Sequence, residues 1–114
     1  MDLEKYKQKI RQFADERNWD KFHNPKNLSM ALSAEVGELL EIFQWLNTNE
    51  SKSLNNKDHQ SAKEEIADIM IYLIRLSDKL GIDLEEAVEE KIKLNAKKYP
   101  VELSKSNAVK YNKR

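Results

Sequence analysis

The sequence contains no cysteine, and it has only two glycines and two prolines in 114 residues. The lack of cysteine excludes disulfides and thiolate metal sites, so the candidate metal ligands are carboxylates. Because glycine and proline are scarce, few positions force a helix to end. No apolar run approaches the roughly 18 residues of a membrane-spanning helix, and the N-terminus lacks the basic start and apolar core of a signal peptide. We therefore expect a cytoplasmic protein that does not bind membranes.

The chain also has no excess of charge of either sign. Its 20 lysines and arginines balance 20 aspartates and glutamates, which gives a formal net charge of +0. No overall field then attracts a nucleic acid polymer or an anionic membrane, so any phosphate binding must be local. At 13.4 kDa, residues 1–114 are expected to form a single domain with a modest core. A deeply enclosed site in so small a chain would need a second subunit, which favours a homo-oligomer.

Apolar residues recur at helical rather than strand spacing along nearly the whole chain, which predicts an all-α fold. Four helices are expected, at about residues 2–17, 25–46, 58–80 and 83–98. The third is expected to start between positions 58 and 61, with Ser61 and Glu64 as a capping box, and to stop at Gly81. The polar segment 47–57 is predicted to be a mobile loop, and residues 101–114 a polar tail that is disordered or packed on a partner subunit.

Two acidic pairs with i,i+3 spacing, Glu35/Glu38 and Glu65/Asp68, lie on the second and third predicted helices. The apolar stripes of these helices comprise Leu32, Val36, Leu39, Ile42, Phe43 and Leu46, and Ile66, Ile69, Met70, Leu73, Leu76 and Leu80. Glu35 falls inside its stripe, where an uncompensated charge costs several kcal/mol, so protonation or a cation must relieve it. Carboxylates from two rigid helices suit Mg²⁺, with Mn²⁺ as a substitute. A single such pair is commonly just solvated, but two pairs beside strong stripes predict a metal site.

One aromatic residue on each acid-bearing helix, Trp45 and Tyr72, follows an acidic residue by seven positions. This spacing places each ring about 10 Å along the axis from a carboxylate, which is close to the reach of a nucleotide from phosphate to base. Aromatic rings offer a base a stacking partner, and Trp19 and His23 could add a wall and a hydrogen bond. The alternatives are core packing for the aromatic rings and a local backbone hydrogen bond for His23.

Lys91, Asn95 and Lys98 share one face of the fourth predicted helix, because they recur at i, i+4 and i+7. A cationic face of this kind can hold phosphates, although a solvated face is equally consistent with so lysine-rich a segment. The sequence has no glycine-rich phosphate loop, no Ser/His/Asp order and no Glu-x-x-His pattern. A nucleophilic or di-iron mechanism is therefore disfavoured.

At these residues the chain resembles the all-α MazG-type nucleoside triphosphate pyrophosphohydrolases, and most closely their dCTP pyrophosphatase branch. The resemblance is carried by Arg17-Asn18-Trp19, Phe22-His23, Gly37-Glu38-Leu39, Phe43-Gln44-Trp45, Glu64-Glu65 with Asp68, Ile71-Tyr72-Leu73, and Lys91 with Asn95 and Tyr99-Pro100. It implies a four-helix MazG-like bundle that assembles as a tetramer, a dimer of dimers. The site residues that it implies are Mg²⁺ ligands at Glu35, Glu38, Glu65 and Asp68, base contacts at Trp19, His23, Trp45 and Tyr72, and triphosphate contacts at Asn95 and Lys98.

The resulting hypothesis is an enzyme that converts a deoxynucleoside triphosphate, dCTP or a modified relative, into the monophosphate and pyrophosphate. Water would attack the α-phosphorus in line, with Glu38 as the residue that positions it and Glu35 beside it in the catalytic cluster. One alternative keeps this chemistry but changes the substrate to another pyrimidine triphosphate such as dUTP. A second alternative is a non-catalytic helical module that binds nucleotides or another protein through the same cleft.

Overall fold

The computed structural model describes residues 1–104, and these form helices and turns with no strand. The helices are α1 (Leu3–Glu16), α2 (Pro25–Phe43), α3 (Thr48–Ser51), α4 (Asn56–Leu80), α5 (Leu84–Lys98) and α6 (Val101–Ser104), with a 3₁₀ turn at Asp20–Phe22. The predicted all-α class is confirmed. The four predicted helices correspond to α1, α2, α4 and α5, whereas α3 and α6 are short helices that the prediction did not contain. Most of the predicted tail, residues 105–114, lies outside the described residues.

Each long helix begins after an Asp or Asn whose side chain accepts a hydrogen bond from a backbone N–H of the first turn. These N-cap residues are Asp2, Asn24, Asn55 and Asp83. Such caps satisfy one of the free N–H groups at a helix start. The predicted capping box at Ser61 and Glu64 is wrong, because Asn55 caps α4 earlier in the chain. Gly81 ends α4 with a φ of 67°, in the left-handed region that favours glycine, as predicted.

The segment predicted to be a loop, residues 47–57, is partly helical. Asn47 accepts a hydrogen bond from the backbone N–H of Glu50, and the Glu50 carboxylate accepts one from the backbone N–H of Asn47. This reciprocal capping box forms the single-turn helix α3. A long mobile loop is therefore wrong for this segment, since α3 and the early start of α4 leave only a short connection.

The chain divides into two compact units, Met1–Ile82 and a second that begins at Asp83. In the first unit, α4 packs against both α1 and α2. Its few fully buried residues are Ala14, Leu28, Ala62, Ile74 and Arg75. In the second unit, α5 carries Glu85 and Glu86 in its first turn and Lys97 and Lys98 in its last, which suits the helix dipole. None of the described helices is long and apolar enough to cross a bilayer.

One side of α4 exposes residues of the apolar stripe that was predicted for this helix. Ile66, Leu73 and Leu80 follow one another at intervals of seven residues, and they are 57%, 36% and 52% exposed. On α2, Val36 of the predicted stripe is likewise about half exposed. Contiguous exposed apolar surface of this kind is uncommon on monomers and marks surfaces that contact another molecule.

Candidate functional site

The packing of α2 against α4 brings three carboxylates together. One oxygen from each of Glu35, Glu38 and Glu65 lies within 4.8 Å of the other two. Glu35 and Glu38 stand on adjacent turns of α2, and Glu65 faces them from α4. The Glu35 and Glu65 side chains are partly buried, whereas Glu38 is exposed. The structure therefore assembles three of the four predicted metal ligands into one cluster, which we name the acidic cluster.

The acidic cluster lacks compensating donors. The Oε2 atoms of Glu35 and Glu65 are buried and have no hydrogen-bond partner among the described residues. The pKa of Glu65 is raised to about 8, first because the nearby Glu35 carboxylate favours the protonated form, then because of burial and the neighbouring Glu38. Buried carboxylate oxygens without donors, converging from two helices, provide the hard oxygen ligands that Mg²⁺ and Mn²⁺ prefer. The residues present therefore fit a divalent cation.

Asp68, the fourth predicted ligand, does not join this close group. It lies one turn beyond Glu65 on α4, is exposed, and lines a cavity together with Glu35. An exposed carboxylate can change rotamer at little cost. Asp68 thus lies near the acidic cluster on the cavity side.

The cavity next to the acidic cluster has a volume of about 450 Å³. Its walls come from α1, α2, α4 and the connection after α1, and apolar side chains provide most of them. These include Ile10, Phe13, Leu28 and Ile71. A volume in this range and a mostly apolar lining with a few polar groups are typical of small-molecule sites.

Three of the predicted base contacts, Trp19, His23 and Tyr72, line this cavity. The Trp19 ring meets the Phe13 ring edge-on at a centroid distance of 5.7 Å and lies 6.2 Å from the His23 ring. The pKa of Tyr72 is raised, first by burial and then by the negative charges of Glu35 and Asp68. Tyr72 therefore stands between the apolar part of the cavity and its acidic end.

Trp45, the fourth predicted base contact, does not line the cavity of its own chain. It lies beyond the end of α2 at Phe43 and is 87% exposed. The seven-residue spacing places Trp45 on α2 only if the helix continues for two more residues, and α2 ends before it. Its contact with a base stays a prediction.

Sequence reasoning missed Arg75, which lines the cavity and is only 4% exposed. Its Nη2 donates to Asp20 Oδ1 at 2.9 Å and its Nε donates to His23 Nδ1 at 3.2 Å, while Nη1 lies 3.7 Å from Asp78 Oδ2. One feature of the sequence points to Arg75: it follows Tyr72 by three residues and therefore shares the same face of α4. Its partners are far away in sequence and gave no such signal.

The surroundings of the His23 imidazole favour its neutral form. Its pKa is lowered, first by burial and then by the positive charges of Arg75 and Lys79, which together outweigh the opposing effect of Asp20. Lys79 also donates to Asp20, so the carboxylate bridges two cations. His23 therefore enters the cavity as a polar but uncharged group.

The predicted phosphate-binding face lies in the second unit. Lys91 and Asn95 are exposed on α5, and Lys98 is the last residue of that helix. Their contact with a triphosphate stays a prediction.

Comparison with known proteins gives sequence relatives along most of the chain. The model of the MazG-like family matches residues 30–113. dCTP pyrophosphatase 1 from Mus musculus is 43% identical over 102 residues, which cover 88% of this chain and 60% of that protein. dCTP pyrophosphatase 1 from Homo sapiens is 40% identical over 102 residues, with the same coverage of 88% and 60%. The chain thus spans 60% of the length of these curated relatives.

A solved structure shares the fold. A pyrophosphatase from Archaeoglobus fulgidus DSM 4304 is 42% identical in sequence, with a TM-score of 0.82 over 88% of this chain and 94% of that chain. The all-helical fold described above is therefore one that an experimentally solved pyrophosphatase also adopts.

Proposed function

Because this chain belongs to the MazG-like family, we propose that it is a nucleoside triphosphate pyrophosphohydrolase that depends on Mg²⁺. It would cut the bond between the α and β phosphates of dCTP, or of a modified dCTP, and release the monophosphate and pyrophosphate. The observation that carries this proposal is the acidic cluster beside an aromatic cavity of about 450 Å³. The dCTP pyrophosphatase names of the curated relatives support the choice of substrate.

Glu35, Glu38 and Glu65 would hold the metal, and Asp68 would join them by a change of rotamer. A bound Mg²⁺, or Mn²⁺ in its place, would supply positive charge to the phosphate oxygens and lower the pKa of a water molecule. Glu38 is the exposed member of the acidic cluster, so its carboxylate is open to a water molecule from the solvent. We assign it the role of holding that water in line with the α-phosphorus, with Glu35 beside it.

The base would enter the cavity between Trp19 and Tyr72, with His23 as its hydrogen-bonding partner. The sugar and triphosphate would extend toward Glu35 and Asp68, since these carboxylates mark the acidic end of the cavity. Lys91, Asn95 and Lys98 are proposed to contact the triphosphate. This arrangement separates an uncharged base site from a charged site for metal and phosphate.

The protein is proposed to act as a cytoplasmic homotetramer, a dimer of dimers built from single-domain subunits. The exposed stripe of Ile66, Leu73 and Leu80 supports this assembly, because its apolar surface calls for a covering partner. Trp45 is 87% exposed in its own chain, so we propose that it reaches a base in the cavity of a neighbouring subunit.

Product analysis tests the proposed reaction. The purified protein is incubated with Mg²⁺ and each deoxynucleoside triphosphate in turn, and pyrophosphate and monophosphate are quantified. We expect both products, fastest from dCTP, and a loss of at least about 100-fold in Glu38→Gln, since a positioned general base contributes about 10²–10⁴-fold. Glu41→Gln is the matched control, because Glu41 is an exposed glutamate on the same helix outside the acidic cluster.

Two outcomes of this experiment favour the alternatives. Faster turnover of dUTP than of dCTP would keep the chemistry and change the substrate. Nucleotide binding without release of pyrophosphate, by a folded protein with Mg²⁺ present, would refute the enzyme and support a binding module.

A further inference from the structure

A buried arginine contacts the imidazole that lines the cavity. The Arg75 side chain is 4% exposed, and its Nε donates to Nδ1 of His23 at 3.2 Å. We propose that Arg75 is a positioning residue, which fixes His23 in the tautomer with its proton on Nε2 and so presents a hydrogen-bond donor to the cavity. Arg75 belongs neither to the acidic cluster nor to the aromatic walls of the cavity, so this role adds a residue to the proposed site.

The chemistry of the two groups determines the tautomer. A guanidinium stays protonated at every ordinary pH and has five N–H donors and no acceptor. A nitrogen that accepts from it must therefore carry a lone pair, so Nδ1 of His23 is unprotonated. In a neutral imidazole the proton then lies on Nε2. The neighbours of His23 favour the neutral ring, because Arg75 and Lys79 are both cations, Asp20 is already bonded to both, and Trp19 is uncharged.

Nε2 is the ring nitrogen left for a ligand. His23 lines the cavity, and no hydrogen bond of the described residues involves its Nε2. That atom is also absent from the buried polar atoms without partners, which are confined to Glu35 and Glu65 within the described residues. An accessible N–H without a partner, on a wall of the cavity, is available to an acceptor on a bound molecule.

The surroundings of Arg75 hold its guanidinium in one orientation. Asp20 accepts from Nη2 at 2.9 Å, and Asp78 lies 3.7 Å from Nη1. Asp78 is held in turn by a bidentate contact with Arg11, and Asp20 by Lys79. A buried charge costs several kcal/mol unless it is paired, and here two carboxylates pair it while Nε remains directed at His23. The network therefore presents one fixed donor to the imidazole.

A fixed donor at Nε2 favours ligands with an acceptor at that point. Cytosine presents the unprotonated N3 and O2 side by side, whereas uracil carries a proton on N3. An Nε2–H group that meets the base at N3 would therefore bond cytosine and oppose the N3–H of uracil. This consequence for base choice rests on the proposed function, whereas the tautomer itself does not.

The tautomer is measurable on the protein without substrate. The chain has two histidines, so His59→Gln, which changes an exposed residue, leaves His23 as the sole imidazole. Long-range ¹H–¹⁵N spectra of this variant at neutral pH report which ring nitrogen carries the proton. We expect a protonated Nε2 and an unprotonated Nδ1. A proton on Nδ1, an exchanging mixture of tautomers, or an imidazolium at neutral pH would each overturn the proposal.

Arg75→Lys, in the same His59→Gln background, tests whether Arg75 imposes the tautomer. Lysine keeps the positive charge between Asp20 and Asp78 but lacks the planar Nε–H group. We expect signals of mixed tautomers. Arg11→Lys is the matched control, since Arg11 belongs to the same network through Asp78 and is not bonded to His23. Its Nε2–H tautomer should persist, and an unchanged tautomer in folded Arg75→Lys would refute the positioning role. If Arg75→Lys does not fold, the spectrum of His59→Gln alone decides.

Kinetics with dCTP and dUTP test the consequence for base choice. Arg75→Lys should lower the ratio of kcat/KM for dCTP to that for dUTP by about tenfold, mainly through KM, which corresponds to about 1.4 kcal/mol and the loss of one hydrogen bond. Arg11→Lys should leave the ratio unchanged. If the protein hydrolyses neither compound, calorimetry gives its affinities for dCMP and dUMP, and the ratio of these affinities should change in the same way. This measurement separates the inference from the proposed reaction. A constant ratio despite a lost tautomer would refute the link to base choice.

Discussion

Magnesium binding is expected to release a proton from Glu65. With a pKa of about 8, the Glu65 carboxyl of the metal-free protein is protonated in about nine molecules out of ten at pH 7. A metal ligand must be deprotonated, so each Mg²⁺ that binds at pH 7 should displace about 0.9 proton from this group. At pH 9 the same group is mostly ionised already, and the released amount should fall to about 0.1 proton.

Calorimetry measures this release directly. Titration with MgCl₂ in two buffers of different ionisation enthalpy gives the number of protons released from the difference in observed heat. The Glu65→Gln variant should release close to none, and Glu64→Gln, which changes the exposed neighbour on α4, should release as many as the unchanged protein. Observed heats of Mg²⁺ binding that are the same in both buffers at pH 7 would refute the reasoning, because the acidic cluster would then be fully ionised without metal.

The same group makes the stability of the metal-free protein depend on pH. The pKa of Glu65 is raised above its ordinary value of 4.5, so between pH 4.5 and about 8 the folded protein binds more protons than the unfolded chain. The free energy of unfolding should therefore decrease as the pH rises through this window. Urea unfolding at a series of pH values, with a chelator present, should show this decrease in the unchanged protein and a smaller one in Glu65→Gln.

Three further predictions concern the assembly, the base and the end of α4. Ile66→Glu should convert the proposed oligomer into smaller species in sedimentation analysis, because it places a charge on the exposed apolar stripe, and Lys63→Glu should leave the mass unchanged. Trp45→Ala should raise KM for dCTP by about tenfold, given that base stacking contributes about 1–3 kcal/mol; an unchanged KM would remove Trp45 from the site. Gly81→Ala should lower the free energy of unfolding by about 1 kcal/mol, since φ is 67° there, whereas Gly37→Ala, in the helix interior with open space for the added Cβ, should not lower it.

Local signals account for the parts of the fold that the sequence predicted well. Each of these signals depends on a residue and its immediate neighbours. Asn24 and Pro25 start α2, Gly81 ends α4, and Asp83 caps the start of α5. The grouping of Glu35, Glu38 and Glu65 needed only helical periodicity and the packing of two stripes. Tyr72 lines the cavity because the seven-residue spacing stays within α4, whereas α2 ends at Phe43, two residues before Trp45.

The exposed apolar stripe on α4 could not be predicted from periodicity. A 3.6-residue repeat identifies an apolar face, but it does not say whether the same chain or another molecule covers that face. Ile69 and Met70 are partly buried, while Ile66 and Leu80 are 57% and 52% exposed. The apolar stripe predicted from the sequence is therefore wider than the surface of α4 that α1 and α2 cover.

Arg75 was missed for a different reason. An arginine is expected at the surface unless its charge is paired, and its partners Asp20 and His23 lie more than 50 positions earlier in the chain, at separations of 55 and 52 residues. The sequence predicts only that the connection after α1 supplies two base contacts, Trp19 and His23. Instead, it forms a 3₁₀ turn whose Asp20 and His23 both bind one buried guanidinium from α4.

The two ends of the cavity have opposite electrostatic requirements, and this contrast favours a nucleotide over an uncharged ligand. At one end lie the carboxylates of Glu35 and Asp68, and the buried Oε2 atoms of Glu35 and Glu65 have no hydrogen-bond partner among the described residues. At the other, Arg75 holds a neutral imidazole whose free nitrogen is a donor. A metal–triphosphate complex would supply the cation at the first end, and the acceptor edge of a base would satisfy the donor at the second. Glu35 belongs to both the acidic cluster and the cavity wall, so metal and nucleotide would be bound interdependently through this one side chain.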